Sequence, residues 1–468
     1  MAGIAGIESK GEKDRVARML EQIAHRGESG CKIIESHGIT LGAVWSDVEP
    51  ESTPSMLREQ AVWDGNRPPL PEPSVLEGER EPFALAAATP EGVFLARDPL
   101  GICPLYYGRT DEGDFCFGSE AKAVLRMTED VRQFAPGTWH NRQEGFQSFY
   151  SVGDEPELNQ DAAEIAGELR LRLERAVSRR VDKDVMGCWL SGNLNSSTLA
   201  ALARPHVESL HTFAVGTPAT PDLDHARQVA TFLETEHHEI TITLEEVLAP
   251  LPVVIWHLES FDVSLVRSSV TRYLAAKQAA DYVGTILFDE GANELFGGCD
   301  YLKELDPEDL ADEMVELTQR LHHTSLQRVD RIASSHGLVA QVPFLDLDVF
   351  EYTTSIPVEL KLRRNGETTD KWILRRALTG VLPEDVLRPS VTTRWEGEGV
   401  GFLLALSAEE QITDADFHRE RALPSGWLLN SKEELMYYRI FRELFGDVDD
   451  LSWMGRTREH GAGTIARQ

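Results

Sequence analysis

The segment from Val185 to Ala203 constrains the chain most. Val185-Met186-Gly187-Cys188-Trp189-Leu190 is a short apolar run that reads as a buried strand, and Ser197-Thr198-Leu199-Ala200-Ala201-Leu202-Ala203 opens a helix. Between them lies a turn of small polar residues, Ser191-Gly192-Asn193-Leu194-Asn195-Ser196. A strand that feeds a helix through such a turn points backbone N–H groups outward at the helix start, where the helix dipole favours negative charge. The turn therefore has the shape of an anion-binding loop. A tight strand-to-helix connection without a ligand has the same local pattern, so the rest of the chain decides.

From about residue 185 onward, strand-like runs alternate with helical patterns: Leu210 to Gly216, a helix from about Asp222 to Leu233, Glu239 to Ile242, and Tyr282 to Phe288. Such alternation implies a parallel sheet wrapped by helices, with ligands beyond the carboxyl ends of its strands. The Ser191 turn and the turn after Phe288 would both lie there. Residues 1 to about 150 instead carry short β-like runs: Gly38 to Trp45, Phe83 to Ala88, Val93 to Arg97 and Phe115 to Gly118. The proline-dense stretch Pro68-Pro69-Leu70-Pro71-Glu72-Pro73 reads as a loop. Gly153 to Asn159 reads as a linker, and Asp161 as the cap of an amphipathic helix through about Arg179. The expected division is residues 1–152 and 160–468.

A chain of 468 residues is too long for one core. Its formal net charge of −32 argues against nucleic acid and anionic lipid as partners. No apolar run reaches the ~20 residues that span a bilayer, and Met1 to Ile7 lacks the basic start of a secretion signal, so a soluble cytoplasmic protein is expected. The five cysteines, Cys31, Cys103, Cys116, Cys188 and Cys299, have no CxxC spacing and read as buried free thiols. Only ten of the 46 basic residues are lysine, and an acidic, lysine-poor surface fits a high-salt cytoplasm.

With these residues in view, the chain resembles the glutamine-hydrolysing asparagine synthetases over nearly its whole length. That family joins a class II amidotransferase domain to an ATP pyrophosphatase domain. Its LSGGLDSS loop corresponds to Leu190 to Ser197, and its SGEGADELFGG segment to Phe288 to Gly298. Also similar are Phe213 to Gly216, His257 to Asp262, Val342 to Asp346 and Lys371 to Arg375. In the first half, Ala2 to Gly6, His25-Arg26-Gly27, Leu95 to Asp98, Pro104 to Gly108, Gly118 to Ala123 and Phe134 to Gly137 follow the family in order. The resemblance implies an α/β protein: an N-terminal Ntn-hydrolase-like α+β sandwich, then a parallel-sheet α/β ATP pyrophosphatase domain. It assigns Leu190, Ser191, Gly192, Asn195, Ser196, Val215 and Gly291 to the nucleotide.

The same resemblance exposes what has been replaced. The family's glutaminase uses an N-terminal cysteine thiolate, and this chain has Ala2, whose methyl group cannot form a thioester. The family's oxyanion-holding Asn-Gly pair reads Asp64-Gly65, the arginine of its glutamine pocket is missing from Ala43 to Ser46, and the stretch carrying its aspartate is shortened into Asn66 to Pro82. In the second half, the two aspartates that bind magnesium for ATP correspond to Asn195 and Asn293. Hard divalent cations prefer charged oxygen ligands. Asn193 stands for the loop's second glycine, and Phe288-Asp289 for a Ser-Gly. The catalytic lysine segment aligns with Thr393 to Gly401, so Thr393 marks the lost lysine and Arg394 is the nearby cation. Glu290 matches the family's proton-handling carboxylate, and Asp289 and Glu294 offer alternative metal ligands.

The expected protein has lost glutaminase and ATP-dependent amidation. It acts as a non-catalytic or regulatory binder of ATP, of an aspartate-like small molecule, of a protein partner or of its own copies. The alternative is an ammonia-using asparagine synthetase or related amide ligase, which needs ATP and magnesium but no N-terminal thiol.

Overall fold

The computed structural model describes residues 2–46, 60–66, 71–153, 156–216, 222–363, 368–388 and 398–457. Among the described residues, eleven strands precede residue 150. They are β1 (Ala2–Ile7), β2 (Gly30–Ser36), β3 (Ile39–Trp45), β4 (Ala61–Gly65), β5 (Phe83–Thr89), β6 (Gly92–Arg97), β7 (Tyr106–Arg109), β8 (Phe115–Gly118), β9 (Val131–Gln133), β10 (Thr138–Asn141) and β11 (Gly145–Ser148). They form two antiparallel sheets, ordered β2-β3-β1-β8-β7-β9 and β11-β10-β6-β5-β4.

The period-two rule explains how an alanine-rich strand holds this sandwich together. In β5, Ala84, Ala86 and Ala88 face the layer between the sheets with Ile4, Leu41 and Phe117, while Phe83, Leu85 and Ala87 join Trp63 and Trp139 on the other face. Small side chains on the inner face let the two sheets approach. On the outer face of the first sheet lies the helix Lys13–Gln22, which buries Val16, Met19 and Leu20.

The described residues of the second unit hold five strands: β12 (Val185–Trp189), β13 (Ser209–Gly216), β14 (Glu236–Thr241), β15 (Thr285–Leu287) and β16 (Val339–Gln341). All pair in parallel, in the order β14-β13-β12-β15-β16. The strand order reverses direction at β12 and β15, so the crevice for a ligand opens beyond their carboxyl ends. Asp161 accepts from the backbone of Ala163 and Glu164 and caps the helix Ala162–Arg180.

Several elements differ from the sequence reading. The helix after the Ser191 turn begins at Leu194, because Asn193 caps it. The strand expected at Glu239 begins at Glu236, whose polar run Glu236-His237-His238 hides it. The strand expected from Tyr282 to Phe288 is confined to Thr285–Leu287, since Tyr282 closes on Ala279 through a backbone hydrogen bond of 3.0 Å. Pro73, read as loop, supplies the start of a one-turn helix, Pro73–Leu76, where a missing N–H costs nothing. All five cysteines are free, but Cys31 is exposed on β2 and Cys299 is half-buried. No helix among the described residues is long and apolar enough to cross a membrane.

Candidate functional site

Two constellations occupy the places that the sequence singled out. The first is built on the loops beyond β12 and β15. Leu190 prolongs β12, its N–H donating to Phe213 O at 2.9 Å. The chain then reverses at Gly192, where φ is +79° and a Cβ would stand 2.5 Å from the backbone carbon of His225, so only glycine fits. Asn193 follows as helix cap.

That cap consumes the loop's donors. Asn193 Oδ1 accepts from Ser196 N at 3.0 Å and from Ser196 Oγ at 3.1 Å, and Ser191 N donates to Ser196 Oγ at 3.2 Å. An amide oxygen thus sits on an N–H that an anion would otherwise take. The asparagine at the family's second glycine adds an internal acceptor as well as bulk.

Asn195 and Asn293 meet. Asn195 Nδ2 donates to Asn293 Oδ1 at 3.1 Å, linking the helix Leu194–Ala203 to the short helix Ala292–Phe296. Asn195 is buried, and its own Oδ1 has no partner. Gly291, with φ +89°, caps the second helix, and Leu345 packs against it. Val215 lies half-buried near the end of β13.

A lysine that the motif reading left without a role stands beside this pair. A Cβ on Gly298 would be 2.9 Å from Lys371 Nζ and 2.7 Å from Asn293 Oδ1, so ammonium and amide share the space that the glycine leaves open. Burial lowers the Lys371 ammonium from its usual range, against the pull of Asp370. Lys371 itself has φ of 52°, which fixes the approach of its side chain at the start of the helix Trp372–Ala377.

The retained acid Glu290 pairs with Arg328. Glu294 is pushed up to about 7, mainly by burial and further by Glu290, so it is a poor anionic metal ligand at neutral pH. Asp289 lies 3.8 Å from Arg272, whose guanidinium stands 5.4 Å from the ring of Trp189 and 5.6 Å from that of Phe288. The two rings are themselves 5.7 Å apart and perpendicular. Phe288 and Trp189 are buried, so a bulky ring packs where the resemblance places a serine at position 288.

These donors do not fit magnesium. The two amides are neutral and bonded to each other, and an ammonium stands beside them. Among the described residues, no group of three or more His, Cys, Asp or Glu side chains is arranged to hold a metal. Of the residues weighed from the sequence as alternative metal ligands, Asp289 lies 3.8 Å from Arg272, and Glu294 is raised by burial. Thr393 and Arg394 lie outside the described residues.

The second constellation lies at Ala2. Ala2 N donates to Asp64 Oδ1 at 2.9 Å, and Ala2 O accepts from Arg26 Nε at 2.8 Å. Arg26, 1% exposed, also reaches Asp64 at 2.7 Å, Glu120 at 3.0 Å and Asp330 at 2.7 and 2.9 Å. Its guanidinium is held charged well above its usual range: burial opposes the charge, and Asp330 and Asp64 outweigh it. Burial pushes the Asp64 carboxyl up despite Arg26, with Asp330 adding to the push. Asp64 is therefore spent on the strand end and on Arg26.

Asp330 belongs to the helix Ser325–Ser334 of the second unit, so this network joins the two halves. It continues through Arg331, which donates to Glu259 at 2.8 Å, and through Lys122, whose backbone N–H donates to Glu259 at 2.6 Å. Asp330 and Arg331 lie in no motif read from the sequence, and Glu259 lies in the His257 to Asp262 motif with nothing local to mark its partner in the other half. Arg26, Asp64 and Glu120 were each visible in a motif, but their pairing with one another and with Asp330 was not.

Taken together, a two-sheet antiparallel sandwich and a parallel sheet whose β12 feeds a helix through a tight turn define the amidotransferase-like and ATP-pyrophosphatase-like class of architectures. The family models agree: "Asparagine synthase" matches residues 168–313 and 303–459, and "Glutamine amidotransferase domain" matches residues 80–145. Asparagine synthetase B [glutamine-hydrolyzing] of Escherichia coli is 32% identical over 384 residues, covering 78% of this chain and 69% of the relative. A probable asparagine synthetase [glutamine-hydrolyzing] of Schizosaccharomyces pombe is 34% identical over 390 residues, covering 75% and 70%. An asparagine synthetase [glutamine-hydrolyzing] of Zea mays is 31% identical over 385 residues, covering 78% and 66%. The chain belongs to the asparagine synthetase family.

Proposed function

We propose that this chain is a non-catalytic member of its family, divided into an amidotransferase-like unit at 1–152 and a synthetase-like unit at 160–468. In this reading it binds without turning over. The observation that carries the reading is the hydrogen bond from Asn195 Nδ2 to Asn293 Oδ1. Two aspartates in those places would need a cation between them, whereas two amides satisfy each other and leave two fewer negative charges for one.

Three further observations support it. Asn193 Oδ1 occupies the Ser196 N–H on which phosphate would rest. Lys371 places positive charge next to Asn293. Ala2 has no nucleophile, and the Asp64 carboxylate stands where an oxyanion would form. The ligands this frame suits are an adenine nucleotide held without magnesium or an aspartate-like small molecule at the β12–β15 crevice. A protein partner or a second copy is the other mode of action. The acidic, lysine-poor composition supports work in a high-salt cytoplasm.

The experiment is turnover at high salt with ATP, magnesium, aspartate and ammonia. No pyrophosphate release above the protein-free rate is expected, and robust release overturns the reading. A second reading, an ammonia-using asparagine synthetase, is favoured by one feature: the acid Glu290 is retained and oriented by Arg328. That reading requires metal-dependent ATP binding and amide formation in the same assay.

A further inference from the structure

A cavity of about 700 Å³ lies where the N-terminal sandwich meets the parallel-sheet unit. Its size is that of a small-molecule site, and junctions between domains are where such sites concentrate. Ile102 from the first half faces Leu326, Val329, Val339 and Val342 from the second, which gives the cavity an apolar body. What such a cavity selects depends on which of its polar groups are still free.

The charged groups of its wall are paired. Asp64 accepts from Ala2 N, Gly65 N and Arg26, and Asp330 accepts from Arg26 and Arg331. Arg179 and Arg180 both turn to Asp346. At the mouth, Glu81 takes a hydrogen bond of 3.1 Å from Asn66, and Asp182 is exposed to water. An ion entering the cavity would lose its hydration and meet no unpaired counter-charge inside, which disfavours ligands of either sign.

The groups left free are neutral. Thr285 of β15 pairs in register with Val339 of β16, and Gln341 follows two residues on, so all three share the sheet face that lines the cavity. Thr285 and Gln341 are half-buried, and among the described residues neither side chain has a hydrogen-bond partner. A hydroxyl and a primary amide both donate and accept. Burial, then Asp64, raises the Cys103 thiol well above its usual range, so it too stays uncharged.

We propose that this junction cavity binds an uncharged aliphatic molecule carrying one hydroxyl or amide head. Its body lies against Val329 and Leu326, and its head bonds to Thr285 and Gln341. The inference concerns the junction and holds whether or not either unit turns over, since binding is read with no nucleotide present.

The test is calorimetric titration of the full chain with 1-octanol, octylammonium and octanoate, which share a chain length and differ in the charge of the head. Saturable one-to-one binding of 1-octanol is expected, at least tenfold tighter than binding of either ion. Thr285→Val with Gln341→Met keeps the bulk, removes the head's partners and is expected to weaken 1-octanol binding at least fivefold. Ile102→Trp fills the cavity from the half-buried loop on the other side, outside the sheet, and is expected to weaken it at least tenfold. Phe402→Ser, at a ring that is 68% exposed elsewhere, is expected to leave binding unchanged. Binding of 1-octanol that does not saturate, that survives Ile102→Trp, that is lost in Phe402→Ser, or that is no tighter than binding of octylammonium or octanoate would overturn the proposal.

Discussion

Asn195 Nδ2 donates to Asn293 Oδ1 at 3.1 Å, and this bond ties together the loops beyond β12 and β15. Carboxylates in both places would repel unless a cation lay between them. Asn195→Asp with Asn293→Asp is therefore expected to lower stability by roughly 1–3 kcal/mol without divalent metal. Magnesium should restore part of it in the variant, because a ligand of the folded state alone raises its stability. Thermal unfolding with and without magnesium checks this, and the unaltered chain should show no magnesium-dependent Tm.

Arg26 is the centre of the buried network between the halves. Arg26→Met leaves Asp64, Asp330 and Glu120 without their shared cation, and breaking a buried ion pair from one side costs about 3–5 kcal/mol. Denaturant unfolding should show a loss of at least that size. Arg26→Lys should recover little, since a single ammonium cannot reach all the groups that the planar fork serves.

Glu294 makes stability depend on pH. Its carboxyl is raised to about 7 in the folded chain, mainly by burial, from an ordinary value of 4.5. The folded state therefore holds a proton that the unfolded state releases first. The stabilisation is fully present below the unfolded value and is lost as pH rises toward 7. Glu294→Gln, which mimics the neutral acid, should flatten stability between pH 4.5 and 7 and gain on the order of 3 kcal/mol at pH 8 relative to the unaltered chain. Urea midpoints across that range measure it.

Much of the fold was legible because it rests on local signals. The apolar run into Ser191 announced β12, and Asp161 announced its helix. The small-residue turn at Gly192 announced the strand-to-helix reversal. What local pattern could not show was the part played by Asn193. It had been read for its bulk, but its oxygen starts the helix three residues early and takes up Ser196 N. β14 was read late because its first residues are polar, and they are shaped by pairing with β13. The link from Arg26 to Asp330 spans 304 residues, and no periodicity reports a contact of that range. Lys371 was noticed as part of a motif, but its position beside Asn293 depends on the missing side chain of Gly298.

Asn193 itself offers a direct check on the loop. Asn193→Ala removes the cap and should cost about 1 kcal/mol in thermal unfolding, whereas Asn193→Gly should cost only a few tenths. Asn193→Gly also frees Ser196 N, so pyrophosphate without metal should bind it more tightly than it binds the unaltered chain. Calorimetry with sodium pyrophosphate reads the difference.

The central claim is that an amide pair has taken the place of the metal site. Manganese-dependent ATP binding, measured by calorimetry on the unaltered chain and on the Asn195→Asp, Asn293→Asp variant, tests it most directly. The account predicts that manganese leaves ATP affinity unchanged in the unaltered chain and increases it at least tenfold in the variant. Tight manganese-dependent ATP binding by the unaltered chain, with no gain in the variant, would contradict it.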